Sequence, residues 1–84
     1  MSINQSITVN SFYFVNNGEA FRTFPKEISW NGRYITLRDG LRYLIGNGQG
    51  AGTKLFDMNG EDGQIYRLRQ EQDNWTLLST KGGN

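Results

Sequence analysis

The sequence predicts an all-β domain, a small antiparallel sheet of five or six strands that curls into a partly open SH3-like barrel. Turn signals punctuate the chain from end to end (NNG at 16–18, NG at 31–32, DG at 39–40, NG at 59–60, DG at 62–63), and eleven glycines stand against one proline. That density leaves no room for a helix of ordinary length. Between the turns lie runs rich in β-branched and aromatic residues, the composition of half-buried strands. No segment offers a second layer to cover a flat sheet, so the sheet must bury one face by curling on itself.

The first run, SITVNSFYFV, places Ile7 and Val9 on one parity and Phe12 and Phe14 on the other, which predicts a bulge near Asn10 and Ser11 that shifts the register by one. The second, AFRTF with KEISW, contains Pro25. Having no N–H to pair, Pro25 belongs at a strand start or an edge, and it splits a long strand or opens its second half. Alternation points Ile28 and Trp30 inward. Across the NG turn it continues the core through Ile35 and Leu37, leaving Tyr34, Thr36 and Arg38 outside. LRYLI is too short for periodicity to separate a strand from a helical turn. In QIYRLRQ, Tyr66 and Leu68 point inside while Ile65, Arg67 and Arg69 share the other face. The last run, NWTLLS, is apolar at Trp75, Leu77 and Leu78, and its facing stays open. Residues 1–5 and 80–84 are expected to be loose.

A chain of 84 residues is a single domain, 1–84, and folding at this size hides only about 60–65% of the surface the unfolded chain exposes. Five Phe, four Tyr and two Trp supply much of what there is to bury. There is no cysteine, so neither a disulfide framework nor a thiolate metal site supports the fold. The polar start MSINQSITVN lacks the basic end and apolar run of an export signal, and the longest apolar runs, FYFV and YLI, fall far short of the ~20 residues a membrane helix needs. A soluble cytoplasmic protein with no membrane partner is the expectation. The net charge of +1 lacks the strongly basic footprint of a dedicated nucleic-acid binder, whose pI exceeds about 9.

DMNGEDG gathers more potential metal ligands than any other stretch. A calcium loop of the EF-hand type needs D-x-[DN]-x-[DN]-G, with the glycine sixth and a glutamate twelfth, between helices. Here the glycine comes fourth, and the flanks read as strands. Asn59-Gly60 and Asp62-Gly63 are instead favoured hairpin pairs, so a tight bend is the better reading. Gly46, Gly48 and Ala51 satisfy the letters of G-x-G-x-x-[GA], but TKLFDMNG does not open the helix that a dinucleotide site requires. The stretch at 46–52 reads as a flexible loop. A third and weaker reading has it close over a ligand.

With no His and no Cys, acid–base and nucleophilic duties would fall to carboxylates, Lys, Tyr or Ser. The carboxylates Glu19, Asp39, Asp57, Glu61, Asp62 and Asp73 fall in turns, where nothing sets two of them apart in environment as an acid–base pair needs. The expectation is a non-enzyme with no cofactor and no bound metal. What remains is arginine placed among aromatics, in NGRYITLRDGLRY and IYRLR. Tyr34, Arg38, Arg67 and Arg69 would share an outer sheet face, with Arg33 and Arg42 at strand ends nearby. Such a face suits weak binding of single-stranded nucleic acid. Alternatively, the arginines cover apolar surface and pair across strands with Glu27, Glu71 or Asp57.

FPKEISWNGRYITL followed by EDGQIYRLRQEQDNWTLLS resembles a family of short bacterial domains to which no activity is assigned. Its pattern runs from a Pro before W-x-G-R, through a D-G hairpin, into Y-x-L and then W-x-L. The matching positions are Pro25, Trp30, Gly32, Arg33, Gly63, Tyr66, Leu68, Trp75 and Leu77, and the glycine-rich stretch at 46–52 stands outside the pattern. The resemblance implies a small β-rich domain. It also implies an association of some members with DNA-repair polymerases. Taken together, the residues predict a protein-interaction or accessory module that binds a protein partner or itself, with single-stranded nucleic acid as the alternative ligand.

Overall fold

The computed structural model describes residues 2–16, 21–45 and 52–82. They form six strands, β1 (Ser2–Asn16), β2 (Phe21–Trp30), β3 (Arg33–Ile45), β4 (Thr53–Gly60), β5 (Gln64–Glu71) and β6 (Asn74–Gly82). All are antiparallel to their neighbours, in the order β1-β2-β3-β4-β5-β6, and the sheet closes where β1 meets β6. The all-β, small-barrel reading holds, and LRYLI is strand. Residues 46–51, most of the predicted flexible loop, lie outside the described residues.

Two strands make the corners. β1 pairs β6 from Ser2 to Ile7 and then β2 from Thr8 to Asn16, while β3 pairs β2 from Arg33 to Thr36 and then β4 from Leu37 to Ile45. Each changes partner at or beside an irregularity, at Val9–Phe12 in β1 and at Leu37–Asp39 in β3. Bulges bend a strand and sharpen its twist, which lets a small sheet close. The wall is incomplete on one side. The β2–β3 ladder ends at Glu27 and Thr36, beyond which β2 bonds only to β1 and β3 only to β4.

The interior takes a pair of side chains from each of five strands: Phe24 and Ile28, Ile35 and Leu37, Phe56 and Met58, Tyr66 and Leu68, Trp75 and Leu77. β1 adds Ile3, Ile7, Val9, Tyr13 and Val15, each partly buried. The predicted inward residues Ile28, Ile35, Leu37, Tyr66 and Leu68 are all buried. Trp30 is only half-buried, because it precedes the type I′ turn formed by Asn31 (φ 54°) and Gly32 (φ 72°). Its indole Nε1 donates to Gln5 Oε1 at 2.6 Å, and the Arg33 guanidinium lies 5.6 Å from the ring centre. In β6, Trp75 and Leu77 face inward, and Leu78 is the unmatched residue where Arg67↔Ser79 steps to Leu68↔Leu77.

Two expectations need correction. The bulge near Asn10 exists, but Lys26 is skipped in turn on β2, and the inward parity of β1 continues unbroken through Tyr13 and Val15. Phe12 and Phe14 therefore stay on the surface. Pro25 does not divide β2; it is buried within it, beside the skipped Lys26 and on the stretch β3 leaves unpaired. Near the ends, Ser2 and Gln5 pair β6, and Thr80–Gly82 pairs β5.

Gly40 sits opposite Met58 on the β3–β4 ladder. A Cβ there would run into the Asp57 carbonyl and come within 2.8 Å of the Met58 Cα, backbone atoms that cannot move aside cheaply. Gly40→Ala is expected to cost about 1–3 kcal/mol, as overpacking does, at roughly 4–8 °C of melting temperature per kcal/mol for a domain of this size. Gly82→Ala, whose Cβ meets nothing within 4 Å, is the matched control in the same thermal melts.

Candidate functional site

The acidic stretch resolves into a hairpin in which the side chains of Asp57, Asn59 and Asp62 are engaged by neighbours. Gly63 (φ 85°) donates its N–H to the Gly60 carbonyl at 3.1 Å, so the bend centres on Glu61-Asp62, not on Asn59-Gly60. Gly60 opens the turn because a Cβ there would approach the Tyr66 ring to 2.8 Å. The Asp57 carboxylate receives both Nε and Nη2 of Arg67, at 2.7 and 2.8 Å. Asn59 Nδ2 donates to Asp39 Oδ1 at 2.7 Å. Asp62 accepts the Gln64 N–H at 3.0 Å and the Tyr66 hydroxyl, and the Glu61 N–H reaches the Thr36 carbonyl at 2.9 Å. Among the described residues, no group of three or more carboxylates could hold a metal ion.

This hairpin also carries the clearest pKa shifts. Burial, then the hydrogen bond to Asp62, push the Tyr66 hydroxyl up from 10.0 to about 12. Desolvation pulls the Asp62 carboxyl upward, but the hydrogen bonds from Tyr66, Gln64 N–H and its own N–H, together with the Arg33 charge, outweigh it and hold the group below its ordinary value. Deprotonating Tyr66 or protonating Asp62 weakens the clasp.

The arginines expected on one face are distributed over several surfaces. Arg67 and Arg69 lie on the outer face of the β4–β5–β6 wall, but Arg67 is gripped by Asp57, and Arg69 Nε is 2.9 Å from Glu71 Oε1. Tyr34, 76% exposed, stands opposite Ser29 on the β2–β3 ladder, and Arg33 folds over Trp30 at the turn. Arg38 is exposed at the β3 corner. Arg42 faces the other way: it is registered with Phe56, and through it with Leu68 and Leu77, on the inner side of the wall.

Two surfaces that alternation alone did not reveal stand out. On the outside of the β3–β4 hairpin, Leu41 (60% exposed), Tyr43 and Ile45 (47%) form a stripe, opposite Asp57, Leu55 and Thr53. Leu41 borders a shallow depression of about 470 Å³ that also includes Ile65 and the Asp57–Arg67 pair. On the inner side, where the wall is incomplete, a cleft of about 440 Å³ opens between the β1–β2 and β3–β4 hairpins. Phe12 and Phe14 form one side, Arg42 and Lys54 the other, with Phe56 and Trp75 beneath. Phe12 leans on Trp75 (centroids 6.0 Å apart), and Trp75 on Phe56 (5.2 Å). The signal for this cleft was present in the sequence: a strand apolar on both parities must expose one of them unless its register truly shifts.

No family model matches the chain, and neither a curated protein nor a solved structure matches it. Among the described residues, no helix is long and apolar enough to cross a membrane.

The clasp predicts how stability varies with pH. The folded state holds the Tyr66 proton more tightly than the unfolded chain, so its contribution is complete below pH 10 and is lost as pH rises toward about 12. Asp62, shifted down, contributes above its unfolded pKa and loses that contribution as pH falls through the folded one. Denaturant melts across the alkaline range, with tyrosinate absorbance followed in parallel, should show the decline in the wild type, and Tyr66→Phe should flatten the Tyr66 part of it.

Proposed function

We propose that this domain is a non-catalytic accessory module, and that it docks a protein partner on the outer face of the β3–β4 hairpin. The observation that carries the reading is the stripe of Leu41, Tyr43 and Ile45, exposed on a strand that from Arg38 to Ile45 is bonded along only one edge. Exposed apolar side chains beside unpaired backbone are what an added strand recognises: the ladder supplies affinity, and alternate side chains supply selectivity. Because the charges of Asp57 and Arg67 cancel at close range, the fitting occupant is an extended, largely apolar segment of another protein. The lack of cysteine suits a reducing cytoplasm.

The non-catalytic reading is supported by what the shifted groups do. Asp62 and Tyr66 clasp a turn, and Arg67 binds Asp57. Binding of nucleic acid through Tyr34, Arg38, Arg67 and Arg69, with Arg33 and Arg42 nearby, draws less support. Two of those cations already face carboxylates, and Arg42 lies on the opposite side of the wall.

Side-by-side pull-downs from the native host with wild type and Leu41→Lys test the docking face. A partner held by the wild type should fall by roughly tenfold or more with the variant, the usual weight of a central interface residue. Equal retention by both chains, with sedimentation showing a monomer at all concentrations, rejects the reading. Concentration-dependent dimerisation abolished by Leu41→Lys would identify the partner as a second copy.

A further inference from the structure

We propose that the cleft between the two hairpins is a binding site for single-stranded nucleic acid, with bases stacked on Phe12 and Phe14 and phosphates held by Arg42 and Lys54. It lies on the opposite side of the β3–β4 hairpin from the docking stripe, so the two sites stand independently.

The rings come first. Phe12 is 42% and Phe14 69% exposed, though a domain this small has few rings to spare for its core. They are two residues apart on one strand face, which separates them by about 6.8 Å, roughly twice the spacing of stacked bases. Each ring thus accepts one base of an extended, unstacked strand, the form in which single strands present their bases. Phe12 is backed by Trp75, and Trp75 by Phe56. This support fixes the Phe12 ring before a ligand arrives, so little ordering cost remains for that stack.

Charge comes second. Arg42 and Lys54 stand on adjacent strands of the same face, and no carboxylate lines the cleft with them. No ion pair joins either of them to another described residue. That distinguishes them from Arg67 and Arg69, which stand beside the carboxylates of Asp57 and Glu71. Unpaired cations facing exposed rings across a groove are the elements of sequence-tolerant single-strand recognition. Gln70 and Thr23, also in the lining, supply donors and acceptors for base edges.

The test is fluorescence anisotropy of a labelled oligothymidylate of about 10 nucleotides with the whole chain at low salt. Binding should appear and weaken with salt at a log–log slope of about −1.4, two phosphates' worth for a single strand. Phe14→Ala, at a position too exposed to disturb the fold, should weaken it roughly tenfold, the loss of one base–ring stack. Arg42→Gln should halve the salt slope, and Arg69→Gln, the same charge change on the outer face, should leave binding unchanged. Circular dichroism confirms that each variant is folded. The proposal fails if no binding occurs at low salt, or if Phe14→Ala binds like the wild type. It also fails if polyglutamate or duplex DNA competes as well as unlabelled oligothymidylate, since the site would then take any anion, or if Arg69→Gln weakens binding as much as Arg42→Gln does, which would put the ligand on the outer face.

Discussion

A lone β-sheet with no helix to cover it has one way to hide an apolar face, which is to close around it, and every other feature of this molecule follows from how that closure is made. The closing ladder joins β1 to β6. It forms only because β1 and β3 bend sharply enough to serve two neighbours each, and they do so where the register breaks. The bends are tied down by specific groups. Asn10, the extra residue in β1, donates from Nδ2 to Ser29 Oγ at 2.7 Å and to Glu27 Oε1 at 3.3 Å. At the β3 corner, Gly40 admits the β4 backbone, and the Thr36 carbonyl is met by the Glu61 N–H. Inside, rings touch in a chain from Tyr13 through Phe24 and Phe56 to Trp75, so a few aromatic contacts carry the packing that larger domains spread over many aliphatic side chains.

The same bends produce the surfaces. Because β2 and β3 part after Glu27 and Thr36, two hairpins project from a common base without a shared ladder, leaving a concave gap on one side and a one-sided edge on the other. The charges divide along this line. On the outer wall Arg67 and Arg69 stand beside carboxylates one strand or two residues away, whereas no carboxylate lines the gap that Arg42 and Lys54 border. A net charge near zero thus conceals a local separation that no whole-chain sum could show.

Much of the fold was legible because the turns and the alternation speak locally. Asn31-Gly32 has the left-handed pair that a two-residue hairpin demands, and the alternation in KEISW, RYITL and QIYRL picked out Ile28, Ile35, Leu37, Tyr66 and Leu68 as core. What was not legible depends on partners. The bulge at Asn10 could be inferred from one strand, but the compensating skip at Lys26 belongs to its neighbour, and without it Phe12 and Phe14 are assigned the wrong side. Asn59-Gly60 looks like a turn, yet Gly60 is needed for its lack of a side chain beneath Tyr66, and the bend falls two residues later. Arg42 was placed at a strand end near the Arg67 face because the LRYLI segment gave no facing of its own. Its side is set by registration with Phe56 across the β3–β4 ladder.

The order of the strands carries a consequence for how the chain reaches this state. Five of its six ladders join neighbours in sequence, while the sixth brings Ser2 beside Ser79. Hairpins between neighbours close short loops at low entropic cost, but the last ladder must bring together nearly the full length of the polypeptide. Assembly is therefore divided into cheap local steps and one expensive long-range event, and until that event occurs both flanks of the nascent ribbon remain available to strangers.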